Sequence, residues 1–124
     1  MHIKSIGLIW IVVKDIKKSV SFYTDVVGLK LEEFNEQYRW AEFSGLAGGA
    51  RLGVAQTSEH EMIEPGANAV VTLTVDKLAI AKEELLRQGV HMLGDVTEIP
   101  GMVRLQMFAD QDGNHFQLVE CLNK

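Results

Sequence analysis

The chain repeats itself, and that repeat limits its fold more than any other feature of the sequence. Residues 7–31, GLIWIVVKDIKKSVSFYTDVVGLKL, and 69–93, AVVTLTVDKLAIAKEELLRQGVHML, share one order: apolar strand, charged junction, amphipathic helix, glycine, short strand. Setting Val13 on Val75 brings Leu8 onto Val70, Ile16 onto Leu78 and Gly28 to within one place of Gly89. Residues 39–56 then align with 104–120. Arg39 falls on Arg104 and Phe43 on Phe108; past a one-residue loop difference, Gly49 falls on Gly113, Gly53 on Gln117 and Gln56 on Glu120. Identities are few, so order and spacing carry the repeat. Each half reads β-α-β-β-β. A length of 124 residues suits one domain. The first module is assigned to residues 1–57, a polar linker containing Pro65-Gly66 to 58–67, and the second module to 68–124.

Periodicity sorts the faces. Asp15 is read as the N-cap of a helix carrying Ile16, Val20, Tyr23 and Val27, which Gly28 ends. Leu78, Ala81, Leu85 and Leu86 repeat the pattern before Gly89. Asp112-Gly113-Asn114 is turn chemistry, and His115 to Glu120 alternates polar with apolar, as a half-buried strand does. On the strands, Ile9, Ile11 and Val13 with Leu52 and Val54 form an apolar face. Val71, Leu73 and Val75 with Phe116 and Leu118 form its mate, and the two helices are expected to cover these faces. The opposite face carries Leu8, Trp10, Val12, Arg51, Gly53, Ala55, Val70, Thr72, Thr74, His115, Gln117 and Val119. Aromatic, small, hydroxyl and amide groups with one Arg and one His make up a ligand cavity more than a solvated surface. The two units are expected to curl around a shared concave space. Val103, Leu105 and Met107 are assigned to one layer and Arg104 with Gln106 to the other. Glu42 breaks the matching alternation, and the facing of Arg39 and Trp40 stays open.

Composition removes several classes. Net charge is −5 and the longest basic run is Lys17-Lys18, so no nucleic-acid partner is expected. The opening apolar run is cut by Lys14-Asp15, too short to span a bilayer, and no membrane partner is expected. Cys121 is the one cysteine, which fits a reducing cytoplasmic setting. No nucleophile triad is legible. Gly45, Gly48 and Gly49 make a turn without a phosphate-loop lysine. His60, in the acidic linker, reads as solvated.

Two stretches resemble a known family. One runs from Leu8 to Ile16, with Ser19, Phe22-Tyr23 and Val27-Gly28-Leu29 following; the other is FADQDGNHFQL, residues 108–118. Together they resemble the vicinal oxygen chelate superfamily, which contains glyoxalase I, extradiol dioxygenases, fosfomycin-resistance enzymes and bleomycin-resistance proteins. The resemblance covers nearly the whole chain. It implies an α+β fold of two βαβββ modules forming a cupped mixed sheet with helices outside, often in a homodimer. It also implies a divalent metal held by His or Glu at four places, which carry over onto Leu8, Val70, Gly53 and Gln117. The repeat pairs these same positions. Leu, Val and Gly offer no donor atom and Gln117 only a neutral oxygen, so no metal and no cofactor are expected.

The reading that follows is a small-molecule-binding protein similar to the bleomycin-resistance branch. Its ligand contacts are assigned to Trp10, Arg51, Thr72, His115 and Gln117. Trp10 would stack, Arg51 would meet an anionic group, and His115 with Gln117 would orient the ligand. Each has a plainer reading: Trp10 as packing, Arg51 as a strand-end cation, Thr72 as a good strand former, His115 as a histidine beside a turn. Enzyme status is left open. The alternatives are a metal-dependent lyase or isomerase of the lactoylglutathione-lyase type with atypical ligands, a metal-free acid/base enzyme using His115, and a structural dimer with a vestigial cup.

Overall fold

The computed structural model describes residues 1, 2, 4, 6–58, 64–68 and 70–123. The middle of the linker, His60 included, lies outside them. The chain divides into two compact units, Met1–Asn68 and Ala69–Lys124. The first contains β1 (Leu8–Val13), α1 (Ile16–Ser21, continued by a π-helical stretch Phe22–Val27), β2 (Lys30–Asn35), β3 (Trp40–Gly45) and β4 (Gly48–Gln56). The second contains β5 (Val71–Thr74), α2 (Leu78–Arg87), β6 (His91–Ile99), β7 (Val103–Ala109) and β8 (His115–Cys121). The predicted β-α-β-β-β order therefore appears twice.

Each unit has its own four-stranded mixed sheet, ordered β1-β4-β3-β2 and β5-β8-β7-β6. The first and last strands of each unit pair in parallel, because a helical crossover joins β1 to the rest of its sheet; the remaining pairs are antiparallel. The repeat holds to the level of register. Trp10 lies opposite Gly53, and their repeat mates Thr72 and Gln117 lie opposite each other.

The same correspondence extends to the helix caps. The Ile16 amide donates to Gln56 Oε1 at 3.0 Å, and the Leu78 amide donates to Glu120 Oε1 at 2.9 Å. Ile16 and Leu78 are repeat mates, as are Gln56 and Glu120. The last strand of each unit thus satisfies one of the orphan donors at the start of its own helix. Asp15 adds an N-cap bond from the Lys18 amide at 3.2 Å, as the sequence suggests.

In the first unit α1 packs on β3 and β4. Ile11, Val13, Leu52, Val54 and Phe43 are buried with Phe22 and Tyr23. The Tyr23 ring stands 5.5 Å from Phe43 and 5.2 Å from Phe22. Full burial of rings such as Tyr23 and Phe43 stabilises by roughly 1.5–3 kcal/mol each. In the second unit α2 packs on β7 and β8. Phe108 and Phe116 stack at 5.5 Å beside Leu118, Leu78 and Leu85. The layer assignment of β7 holds: Gln106 is buried on the side of Phe108, away from Leu105 and Met107. Its Nε2 donates to the carbonyls of Gly94 and Met107, at 3.0 and 2.8 Å. Leu86 departs from the helical pattern, being 50% exposed at the edge of α2.

The DQDGN segment is a turn built on Asp110. Asp110 Oδ1 accepts from the amides of Asp112 and Asn114, and Oδ2 accepts from Asn114 Nδ2, all within 2.8–2.9 Å. Gly113 takes φ +84°, a conformation that a side chain would strain. This motif therefore fixes the β7–β8 connection. Among the described residues no helix is long and apolar enough to cross a membrane.

Candidate functional site

The face of the first sheet away from α1 carries an aromatic corner. Alternation places Trp10 on β1, Trp40 and Glu42 on β3, and Arg51 and Gly53 on β4 on this side, because Phe43 and Leu52 point to Tyr23. The two indoles stand 6.2 Å apart at 56°. Trp10 is 40% exposed. Gly53 makes the arrangement possible. A Cβ there would lie 2.5 and 2.7 Å from Trp40 Cη2 and Cζ2, and 3.0 Å from Trp10 Cβ. The indole of Trp40 occupies the space a side chain at 53 would need.

A polar network holds that ring in place. The Trp40 indole N–H donates to Glu42 Oε2 at 2.9 Å, and Arg51 donates to Glu42 Oε1 at 3.1 Å. Arg51 also lies 3.7 Å from Glu32 Oε2. Glu32 Oε1 accepts from the Ser44 hydroxyl at 2.9 Å and pairs with Lys30 at 3.4 Å. The indole hydrogen bond first, and the Arg51 bond next, hold the Glu42 carboxyl below the usual carboxylate range. The Ser44 hydroxyl and then Lys30 do the same for Glu32. Both carboxylates are charged at neutral pH. Arg51, assigned from the sequence to ligand contact, is engaged by both of them.

The second sheet's corresponding face is plainer. Gln117 Nε2 reaches Thr72 Oγ1 at 3.4 Å, a long bond. His115 is exposed at the head of β8, opposite Ala109 and on the same face as Gln117. Leu105 and Met107 stand where the first unit has Trp40 and Glu42. So the structure brings Trp10 and Arg51 onto one face of the first unit, and Thr72, His115 and Gln117 onto one face of the second. Sequence reasoning missed Trp40 and Glu42. Counting back from the buried Phe43 would have found them, and Glu42 breaks the apolar alternation because it belongs to this polar network.

The four positions where the resemblance places metal ligands do not fit a metal. Leu8, Val70 and Gly53 have no donor atoms, and Trp40 fills the space beside Gly53. Among the described residues no group of three His, Cys, Asp or Glu side chains is arranged to hold an ion. A different concavity lies on the helix side of the second unit. This groove of about 390 Å³ is lined by Leu78, Ala79, Lys82, Glu83, Leu86, Val96 and Arg104. Its floor is aliphatic, and Arg104 is engaged by Glu98 at 2.6 Å and Glu120 at 3.6 Å. None of the site residues read from the sequence lines it.

Comparison with known proteins gives a consistent result. The family model of the Glyoxalase/Bleomycin resistance protein/Dioxygenase superfamily matches residues 2–118. A member of that superfamily from Sphaerobacter thermophilus superposes with a TM-score of 0.82 at 24% identity, covering 97% of this chain and 99% of the other. TnmS3, an antibiotic binding protein from Streptomyces sp. CB03234, superposes with a TM-score of 0.82 at 24% identity, covering 98% of each chain. A glyoxalase/bleomycin resistance protein from the same Streptomyces superposes with a TM-score of 0.76 at 25% identity, covering 92% of this chain and 98% of the other. Among curated proteins there is no match.

Proposed function

Because this chain belongs to the Glyoxalase/Bleomycin resistance protein/Dioxygenase superfamily, we propose that it is a small-molecule-binding protein that holds its ligand without a metal and without chemistry. The observation that carries this reading is the Trp10–Trp40 corner over Gly53. Side-chain space at a position where the superfamily resemblance places a metal ligand is taken by a locked indole, which offers contact area instead of a donor. Rigid aromatic faces with a few fixed polar groups suit recognition. The fold likeness to TnmS3, an antibiotic binding protein, supports the same class of role. On the second unit Thr72, His115 and Gln117 are assigned to ligand contact on their own sheet face.

Two further assignments go with this reading. The protein acts as a homodimer: β2 and β6 end their sheets as edge strands, and long edges are usually covered. Sedimentation at micromolar concentration tests this, and a single-chain mass throughout would refute it. It works in the cytoplasm, where Cys121 stays a thiol. Binding itself is tested by screening flat aromatic compounds against tryptophan emission, since the chain's two tryptophans both sit in the corner. Saturable quenching that Trp10→Ala removes is expected. Steady turnover of a bound compound would replace this reading with an enzymatic one.

A further inference from the structure

We propose that the first unit's open face takes a flat aromatic cation, stacked on the Trp10–Trp40 corner, with Glu42 both fixing the Trp40 indole and supplying part of the countercharge. This rests on the reading that the face binds a small molecule, and adds the shape and charge of what it binds.

The shape follows from the rings. At 6.2 Å and 56° the indoles are neither parallel nor far enough apart to sandwich a third ring. A flat ligand can lie against one indole face and meet the edge of the other, the two arrangements aromatic rings favour. Trp10 is the exposed platform. Trp40 is the fixed wall, with Gly53 beside it and its N–H tied to Glu42. A wall held this way loses little freedom when a ligand arrives.

The charge follows from the residues around the corner. Arg51 is shared between Glu42 and Glu32, and Lys30 lies against Glu32. Glu33 stands across the strand pair from Glu42 and its side chain hydrogen-bonds to it, so three acidic side chains surround two cations. The cluster therefore carries surplus negative charge. An indole face is itself electron-rich and attracts cations. An anionic ligand would have to draw Arg51 away from two carboxylates and face both rings. A cationic one meets complementary charge from the indole faces and from the carboxylates, with Arg51 and Lys30 held by their acidic partners.

Two probes with the same ring system separate the possibilities: 9-aminoacridine, a cation at neutral pH, and acridine-9-carboxylate, an anion. Equilibrium dialysis, with tryptophan quenching alongside, gives each affinity. The cation should bind tighter by on the order of ten-fold, the size of a partly desolvated cation–π contact. Glu42→Gln keeps an oxygen for the indole but removes a charge, and should shrink that ratio. Glu33→Gln alters a partner of Glu42 while leaving both groups of the Trp40–Glu42 hydrogen bond in place, and should shrink it less, with the fold checked by circular dichroism. Trp10→Ala should abolish binding of both probes. Equal or tighter binding of the anion, or a ratio unmoved by both glutamine variants, overturns the charge assignment while leaving small-molecule binding in place. If neither probe binds the unmodified protein at millimolar concentration, the proposal falls together with the reading of this face as a binding surface.

Discussion

The two units share strand order, register and even the way the last strand caps the helix, yet their open faces have little in common. In the first, Trp10, Trp40, Glu42 and Arg51 form a tied network over Gly53. In the second, the same grid positions hold Thr72, Leu105, Met107, His115 and Gln117, where Gln117 reaches Thr72 through a long bond. The helix sides differ in the opposite sense. The first is an aromatic cluster around Tyr23, while the second buries Gln106 and Glu120. Side chains facing the helix and those at the caps are fixed by the need to close a core and satisfy backbone donors. Side chains on the open face are released from that need, and there the copies have diverged.

The largest expected difference is at the caps. Glu120 is buried and engages both the Leu78 amide and Arg104. Glu120→Ala leaves a buried donor and a cation without it, and should destabilise by roughly 2–4 kcal/mol. Gln56→Ala loses a neutral bond at a half-buried site and should cost about 1 kcal/mol. Urea unfolding of both variants measures this. Equal losses would mean that the two caps do not differ as their chemistry suggests.

The next test exchanges side-chain volume at repeat mates. Gly53→Ala drives a methyl into the Trp40 ring, so the indole must move or the strands must part. A cost of about 1–3 kcal/mol is expected, with a shift in tryptophan emission. Gln117→Ala gives up only a bond of 3.4 Å and should stay within about 0.5 kcal/mol. A silent Gly53→Ala would show that Trp40 is not seated where the geometry puts it.

The smallest effect is in pH. The Glu42 carboxyl is held below its ordinary value of 4.5 in the folded chain. A lowered folded value means that its contribution is fully present above the unfolded value and is lost as pH falls through the folded one. Tryptophan emission should therefore change below about pH 4.5 as the indole loses a charged acceptor. Glu42→Gln should flatten that change. An identical acid titration in the variant would detach Glu42 from Trp40.

How much of this was legible in the sequence follows from the same division. The repeat, the element order, the layers of β7 and the pairing of Gln56 with Glu120 were readable because strand alternation and helix caps obey local rules. Trp40 and Glu42 were not assigned, since a carboxylate on β3 looks like an error in an apolar alternation until Arg51 and the indole are seen around it. The ion pairs of Arg51 were not legible because its partners lie on other strands, 9 and 19 positions away in sequence. Leu86 shows the reverse failure: a helical period continues past the surface that the sheet covers.

If the first unit's open face is a contact surface at a position where the superfamily resemblance places a metal ligand, the protein holds no metal there. Elemental analysis tests it most directly, on protein expressed in metal-replete medium and purified without chelators. The expected result is no zinc, nickel, manganese or iron in stoichiometric amount, because Leu8, Gly53 and Val70 offer no ligand atoms. About one tightly held ion per chain, lost on Gln117→Ala, would contradict it.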